Sequence, residues 1–181
     1  MTRRRIRLAV AVALGASLAA ASLAVAATRD HGKHLGAATF RAHLTGYEEV
    51  PAINSPGQGD VTITVGQNQL SYTLAFSGIT PSVAHVHVGQ QGVSGGVSFF
   101  LCGGGGKPAC TSGLSGTVAP GDVQAIGGQG FAAGDLNAVI AAMRAGVTYA
   151  NMHTAAFPAG EIRGQLLAGH ARGHGHDGDD D

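Results

Sequence analysis

The sequence is poor in charge, in proline and in aromatic side chains, and these shortages narrow its structural class. Only 12% of its 181 residues are charged, 5% are aromatic, six are proline and none is tryptophan. The 30 glycines do not recur at every third position, so with this little proline a collagen-like chain is excluded. An α-helical bundle is disfavoured because each interior glycine costs about 1 kcal/mol of helix stability relative to alanine.

The sequence nevertheless has ample apolar side chains. Hydrophobic residues make up 44% of it, which argues against general disorder. A length of 181 residues suits one domain, or two at most. Composition alone therefore predicts a turn-rich β protein.

Residues 1–27 are typical of a signal peptide. An apolar, alanine-rich stretch at residues 8–23 is followed by small residues that fit cleavage after Ala26 or Ala27. The basic start contains four arginines, Arg3, Arg4, Arg5 and Arg7. It fits either the general secretory route or the twin-arginine route. We therefore expect a secreted, periplasmic or cell-surface protein with no membrane attachment after cleavage, and an uncleaved transmembrane anchor is the alternative.

The formal net charge of +0 hides an uneven distribution of charge. Cleavage after Ala27 removes four of the eleven basic residues and none of the eleven acidic ones. The remaining chain is net acidic and lacks the basic surface that nucleic-acid-binding domains need. We therefore expect no nucleic-acid partner.

Two polar segments flank the predicted domain, which we place at residues 39–168. Residues 28–38 are expected to form a flexible lead-in. Residues 169–181 are rich in histidine and aspartate and have no apolar periodicity, which predicts a disordered, solubilising tail. Such tracts also bind Zn²⁺, Cu²⁺ or Ni²⁺ loosely, so weak metal binding by the tail is the alternative.

The two cysteines, Cys102 and Cys110, both lie in the predicted domain. In an exported protein their default state is a disulfide, which here closes a glycine-rich loop at residues 103–109. Their spacing is too wide for a C-x-x-C redox pair, and a role as metal ligands is the weaker alternative. We predict a disulfide between them.

Alternating apolar and polar residues predict eight strands. They are Thr39–Thr45, Asp60–Val65, Gln69–Phe76, Val83–Val88, Val97–Leu101, Leu114–Val118, Val147–Met152 and Glu161–Leu167. A short helix near residues 135–145, with Asp135 as its N-cap, is predicted by four apolar residues at helical spacing, Leu136, Val139, Ile140 and Met143. The predicted fold is all-β, an antiparallel Greek-key sandwich or barrel of about seven to eight strands.

Three histidines are the candidate metal ligands. Successive side chains on a strand point to opposite faces, so His85 and His87 in the segment A-H-V-H-V share one face. His153 directly follows the predicted strand Val147–Met152 and shares a face with Asn151 if that strand continues. Three neutral imidazoles can hold copper or zinc and leave a coordination position open, and His43 is a candidate fourth ligand.

A structural hydrogen-bond network is the alternative to a metal site. The residues expected to take part in it lie on two adjacent strands and are Asn151, Glu161, Arg163 and Gln165. Glu161 is a candidate acceptor for orienting a histidine. Arg163 is expected to pair with Glu161 or Glu49 in a structural salt bridge, or to steer anions toward a metal. Glu48 and Glu49 are expected to be solvated loop residues.

Five sequence motifs together resemble the CHRD domain family, which is named after chordin. They are F-R-A-H-L-T-G at residues 40–46, E-V-P at 49–51, A-H-V-H-V-G at 84–89, N-M-H-T at 151–154 and P-A-G-E-I-R-G-Q at 158–165. The resemblance runs over about residues 40–166. Two positions depart from the family pattern, Ala52 where a second proline is frequent and Met152 where Ile or Val is common.

The resemblance implies a secreted β-sandwich domain, found in bacterial proteins and in the extracellular matrix protein chordin, with no settled activity. In chordin-like proteins the domain accompanies modules that bind growth factors. The H-x-H strand is also similar to that of copper/zinc superoxide dismutase, a Greek-key sandwich, although likeness of fold does not establish function.

Two hypotheses of function follow. The first is a secreted binding or structural module whose partner is an extracellular protein or a matrix or cell-wall component. No H-E-x-x-H or P-loop motif occurs in the sequence, and we assign no catalytic residue. The second is a copper- or zinc-binding protein, including a redox protein similar to superoxide dismutase. Histidine nitrogens within about 4 Å of one another would favour a shared ion, whereas histidines facing different neighbours would favour the structural network.

Overall fold

The computed structural model describes residues 38–169, so the predicted signal peptide, the lead-in up to residue 37 and the tail from residue 170 lie outside the described residues. Within that range there are nine strands and one α-helix. The strands are β1 (Thr39–Thr45), β2 (Gln58–Val65), β3 (Leu70–Ser77), β4 (Val83–Val88), β5 (Gly96–Cys102), β6 (Leu114–Val118), β7 (Thr148–His153), β8 (Ile162–Gln165) and β9 (Leu167–Ala168). The helix, α1, spans Leu136–Arg144.

The strands form one antiparallel sheet that curls into a nearly closed barrel. Their order is β5-β4-β7-β8-β1-β2-β3-β6, and the short β9 pairs with β1. Strands that are distant in sequence lie side by side, namely β8 beside β1 and β6 beside β3. The predicted fold class, an antiparallel β-sandwich or barrel with one short helix, is confirmed.

The hydrophobic core lies on the inner face of the sheet because apolar residues alternate along most strands. In β1, Phe40, Ala42 and Leu44 are buried, whereas Arg41 and His43 are exposed. The paired residues of β2 and β3 repeat this pattern in register. Burying such side chains contributes about 1.5–3 kcal/mol each, which makes this layer the main source of stability.

The helix begins and ends where the sequence predicts. Asp135 accepts a hydrogen bond from the Ala138 N–H at 2.9 Å and so caps the first turn. Gly146 has a φ of 70°, in the left-handed region that glycine adopts freely, and it follows the last turn. Val139 and Met143 on the inner face of the helix pack into the hydrophobic core.

Strands β4 and β7 depart from the alternating pattern, and this departure positions the candidate site. All residues of β7 are buried, as are all residues of β4 after the first. Segments outside the sheet reach the outer face here, because Gln90 and Val93 bind Arg163, and Pro158 binds His153. Polar side chains that alternate outward on these strands are therefore shielded from water.

The predicted disulfide between Cys102 and Cys110 is present, with Cα atoms 5.0 Å apart. The enclosed glycines pack on Phe100, since an ideal Cβ would lie 2.7 Å from its ring at Gly104 and 2.6 Å at Gly105. Only glycine fits such an approach without displacing the ring. The loop closed by the disulfide thus covers the end of β5.

Candidate metal centre

The pairing of β4 with β7 brings the three histidines together. In that register His153 lies opposite Val83, and His85 lies opposite Asn151. The His85 ring centroid is 4.5 Å from that of His87 and 4.4 Å from that of His153. One imidazole nitrogen from each residue lies within 4.8 Å of the other two. The tertiary structure therefore brings the three imidazole rings together in one cluster.

Two backbone carbonyls orient two of the imidazoles. His87 Nδ1 lies 2.8 Å from the Gly95 carbonyl oxygen, and His153 Nδ1 lies 3.1 Å from that of Pro158. A carbonyl oxygen only accepts, so each Nδ1 must carry the hydrogen. In the neutral ring this leaves the Nε2 lone pair free. A backbone or carboxylate acceptor on the second nitrogen is the usual arrangement of a metal-binding histidine.

One ring nitrogen of each histidine in the cluster has no hydrogen-bond partner among the described residues. They are His85 Nδ1, His87 Nε2 and His153 Nε2, and all three are buried. A buried polar atom without a partner costs about 1–3 kcal/mol. Three such nitrogens in one place form a donor set of the kind that copper and zinc take from proteins.

An ion fits this cluster after a small contraction. Metal–nitrogen bonds of about 2.0–2.1 Å keep the ligand nitrogens no more than about 4 Å apart. The three ligand nitrogens lie within 4.8 Å of one another, a wider separation than this limit. It is also wider than the distance of about 4 Å that the sequence analysis took to favour a shared ion. The imidazoles would need to close by about 1 Å to share an ion. The bonded nitrogens of His87 and His153 face different backbone neighbours, the carbonyls of Gly95 and Pro158.

Burial keeps the three imidazoles neutral. Desolvation lowers the pKa of His85 to about 3, helped by the nearby His87 and His153. Desolvation also lowers the pKa of His87 to about 4, although the bond to Gly95 acts in the opposite direction. The pKa of His153 is likewise lowered by burial. Neutral imidazole is the form that binds a metal, so these ligands need lose no proton at neutral pH.

His43, the candidate fourth ligand, does not join the cluster. Its side chain is exposed on β1, and Nδ1 lies 3.0 Å from Asp60 Oδ1 on β2. An exposed pair of this kind contributes about 1 kcal/mol at most. Its separation from the cluster makes His43 a suitable control residue.

Two side chains, those of Tyr149 and Arg163, are stacked one after the other on His87. The Tyr149 ring is parallel to that of His87, with centroids 4.6 Å apart and an interplanar angle of 2°. The Arg163 guanidinium carbon lies 3.5 Å from the Tyr149 centroid, a cation–π contact. The backbone N–H of Gly95 donates a hydrogen bond to the Tyr149 hydroxyl at 3.1 Å and so helps to fix the position of this ring.

Arg163 makes no ion pair among the described residues, in contrast to the salt bridge expected from the sequence. Its Nη2 donates to the carbonyl oxygens of Gln90 at 3.0 Å and Val93 at 2.9 Å. Gln165 on the same strand likewise donates to backbone, to the carbonyls of Gly89 and Gly146. These two side chains therefore fix the loop that carries Gly95.

Glu161 does not orient a histidine, which was its expected role. It is buried and accepts hydrogen bonds from Ser55 Oγ at 2.7 Å and from Thr154 Oγ1. Backbone carbonyls orient the histidines instead. Glu161 therefore fastens the turn after β7 to the segment that precedes β2.

Glu49 is buried, and the expectation that it is solvated is wrong, whereas Glu48 is exposed as expected. Asn151 Nδ2 donates to Glu49 Oε2 over a long 3.5 Å, and neither Glu49 Oε1 nor Asn151 Oδ1 has a partner among the described residues. Burial raises the pKa of Glu49, against smaller lowering effects of Arg163, the Val50 backbone and Asn151.

Replacing Glu49 with glutamine is expected to stabilise the domain at pH 7 and to have less effect near pH 4. A carboxyl group whose pKa is raised on folding binds more protons in the folded state, so folding stability falls as the pH rises from 4.5 through the folded-state pKa. Glutamine removes this loss because it stays neutral. Urea denaturation at several pH values measures the effect, with Glu48→Gln as the exposed control. The prediction is contradicted if the difference in free energy of unfolding between Glu49→Gln and the parent chain does not grow as the pH rises.

Sequence reasoning missed three contributors to this site. Phe100 contacts His85 edge-on, with centroids 5.4 Å apart, and Gly95 and Pro158 contribute only their backbone. The pair Gly95-Gly96 before a strand is a signal of close backbone approach that could have indicated the first carbonyl. Nothing in the sequence indicates the second, because any residue supplies a carbonyl oxygen.

The fold and the site together define a small, disulfide-bonded antiparallel β module with a buried cluster of polar side chains. The CHRD domain family model matches residues 40–166. The chain therefore belongs to the CHRD domain family, which together with the disulfide fits an extracellular binding module. Comparisons with curated proteins and with solved structures gave no significant match. Among residues 38–169 no helix is long and apolar enough to cross a membrane.

Proposed function

We propose that this CHRD domain is an extracellular module that binds one copper or zinc ion through His85, His87 and His153. Two observations carry the proposal. Each of the three rings offers a nitrogen within 4.8 Å of the other two, and each also has one buried ring nitrogen without a partner among the described residues. In a purely structural network those nitrogens should have hydrogen-bond partners, because buried polar groups are otherwise paired. An ion shared by the three lone pairs supplies the missing partner.

Two further features support an ion rather than a network. The carbonyls of Gly95 and Pro158 hold the hydrogens of His87 and His153 on Nδ1, so the Nε2 lone pairs are free for an ion. Three protein ligands also leave a position for water or a small ligand, as in metal sites that act on other molecules. The predicted signal peptide and the disulfide support a location of this module outside the cytoplasm.

Metal analysis of the full chain tests the proposal. The five histidines outside the described residues, His31, His34, His170, His174 and His176, are first replaced by glutamine so that they cannot bind metal. After loading with Cu or Zn and passage over a chelating resin, we expect about one ion per chain by elemental analysis. His85→Ala and His153→Ala should each abolish retention, because two imidazoles hold an ion far less tightly than three.

A matched control is His43→Ala, which removes an exposed imidazole outside the cluster and should retain the ion. Circular dichroism shows whether each variant is folded. Ion present at a hundred times its Kd should also raise the free energy of unfolding of the parent chain by about 2.7 kcal/mol. A metal-free parent whose unfolding is unaffected by added ion refutes the proposal, as does full metal content in His85→Ala.

A further inference from the structure

Arg163 is a buried cation without an ion-pair partner in the part of the chain that the structure describes. It is only 3% exposed, its Nη2 binds two backbone carbonyls, and its guanidinium stacks on Tyr149. Taking an ion out of water costs several kcal/mol, so buried charges are usually paired. Arginine cannot escape this cost by losing its proton. A fixed positive charge therefore stands one aromatic ring away from His87.

The cluster itself supplies no negative charge against that cation. Its three donors are neutral imidazoles, and no carboxylate or thiolate joins them within residues 38–169. Glu161 is engaged with Ser55 and Thr154. Glu49 contacts Asn151, and its buried carboxyl interacts with Arg163 only electrostatically, beyond ion-pair distance. An ion in the cluster would therefore be held by neutral donors alone, with the charge of Arg163 one aromatic ring away from His87.

These surroundings discriminate between ions by their charge. The cost of burying an ion rises steeply with its charge, and repulsion by Arg163 is proportional to that charge. Both effects disfavour a dication relative to a monocation. Imidazole is a suitable ligand for copper, the one of the two candidate metals that also has a stable monovalent ion.

We propose, on the basis of the proposed function, that the three-histidine site selects Cu(I) over Zn(II) and Cu(II), and that Arg163 determines this selectivity. Arg163 does not contact the ion, because Tyr149 and His87 lie between them. It is therefore a positioning residue that acts through its charge. A charge about 10 Å from the ion in an effective dielectric constant of about 20 changes the ratio of monocation to dication affinity about 15-fold.

Competition titrations on the full chain, with its five outer histidines replaced as above, test the inference. Bicinchoninate competes for Cu(I) in the presence of ascorbate, which leaves the disulfide intact, and a chromogenic chelator competes for Zn(II). The unsubstituted site should bind Cu(I) more tightly than Zn(II). Arg163→Gln should lower that ratio about 15-fold and lower the reduction potential of bound copper by about 70 mV. Arg163→Lys, which keeps the charge, should preserve the ratio and the potential.

A merely structural role for Arg163 would weaken binding of all ions alike and leave both readouts unchanged. Arg144→Gln, the same change at an exposed position at the end of α1, is the control and should alter neither. The inference is overturned if the unsubstituted site prefers Zn(II) or Cu(II), a measurement that needs no variant, or if Arg163→Gln leaves the ratio unchanged. Absence of any bound ion overturns the proposed function itself, so the two failures are distinguishable.

Discussion

Replacing Gly95 with alanine is expected to destabilise the domain by about 3 kcal/mol, the upper end of the cost of overpacking a well-filled site. An ideal Cβ on Gly95 would lie 1.7 Å from the Val88 carbonyl oxygen and 2.7 Å from its carbonyl carbon. Both are backbone atoms of β4 and cannot rotate away as a side chain would. The loop must therefore move, and strand β5, which begins at the next residue, must move with it.

The same substitution should weaken ion binding, because Gly95 also orients the candidate site. Its carbonyl holds His87 Nδ1 and its N–H holds the Tyr149 hydroxyl. Urea denaturation followed by circular dichroism measures the loss of stability, and elemental analysis measures the loss of the ion. Gly121→Ala is the control, because no atom lies within 4 Å of a Cβ at that position. An unchanged denaturation midpoint in Gly95→Ala would contradict the prediction, because the loop would then move without loss of stability.

Reduction of the disulfide between Cys102 and Cys110 is expected to lower the free energy of unfolding by about 2–3 kcal/mol. The two cysteines are eight residues apart in sequence, and closing a loop of this size in the unfolded chain accounts for that amount. The corresponding drop in Tm is on the order of 8 °C for a domain of this size. Comparison of the oxidised and reduced forms of the same chain avoids placing a new side chain in the core, where Cys102 is fully buried.

Calorimetry before and after reduction measures this effect, and the mass increase after alkylation of the free thiols confirms that both cysteines were reduced. Alkylated protein must be compared separately, since the added group at Cys102 would disturb the core. Identical Tm values for the oxidised and reduced forms would refute the prediction. Reduction also releases the loop that packs on Phe100, so the environment of His85 should change in NMR spectra.

Local patterns were sufficient to predict the secondary structure. Strand alternation identified all eight longer strands, but it shifted several of their ends by one or two residues and missed the break at Leu166 that separates β8 from β9. The helix was predicted from apolar spacing, and Asp135 caps it as expected. His85 and His87 share a face for the same local reason, since side chains alternate along any strand.

Contacts between distant segments could not be predicted in this way. Glu49 follows a short 3-10 turn that has no periodicity, so its burial against Asn151 is decided only when that turn folds over β7. Arg163 has carboxylates nearby in sequence, yet it binds the loop that follows β4 and stacks on Tyr149 instead. His43 shares a residue type with the cluster but lies on a strand that the sheet order holds apart from it.

The sequence alone therefore determined that this glycine-rich, charge-poor chain folds as an antiparallel β-sandwich or barrel, with a disulfide and with two histidines on one face of a strand. These features depend on composition and on neighbours a few residues apart. Only the tertiary structure decided that His153 meets His85 and His87, because strand register depends on the whole sheet. It also decided that Arg163 is buried beside them with no ion pair among residues 38–169, since burial depends on which loops cover the outer face.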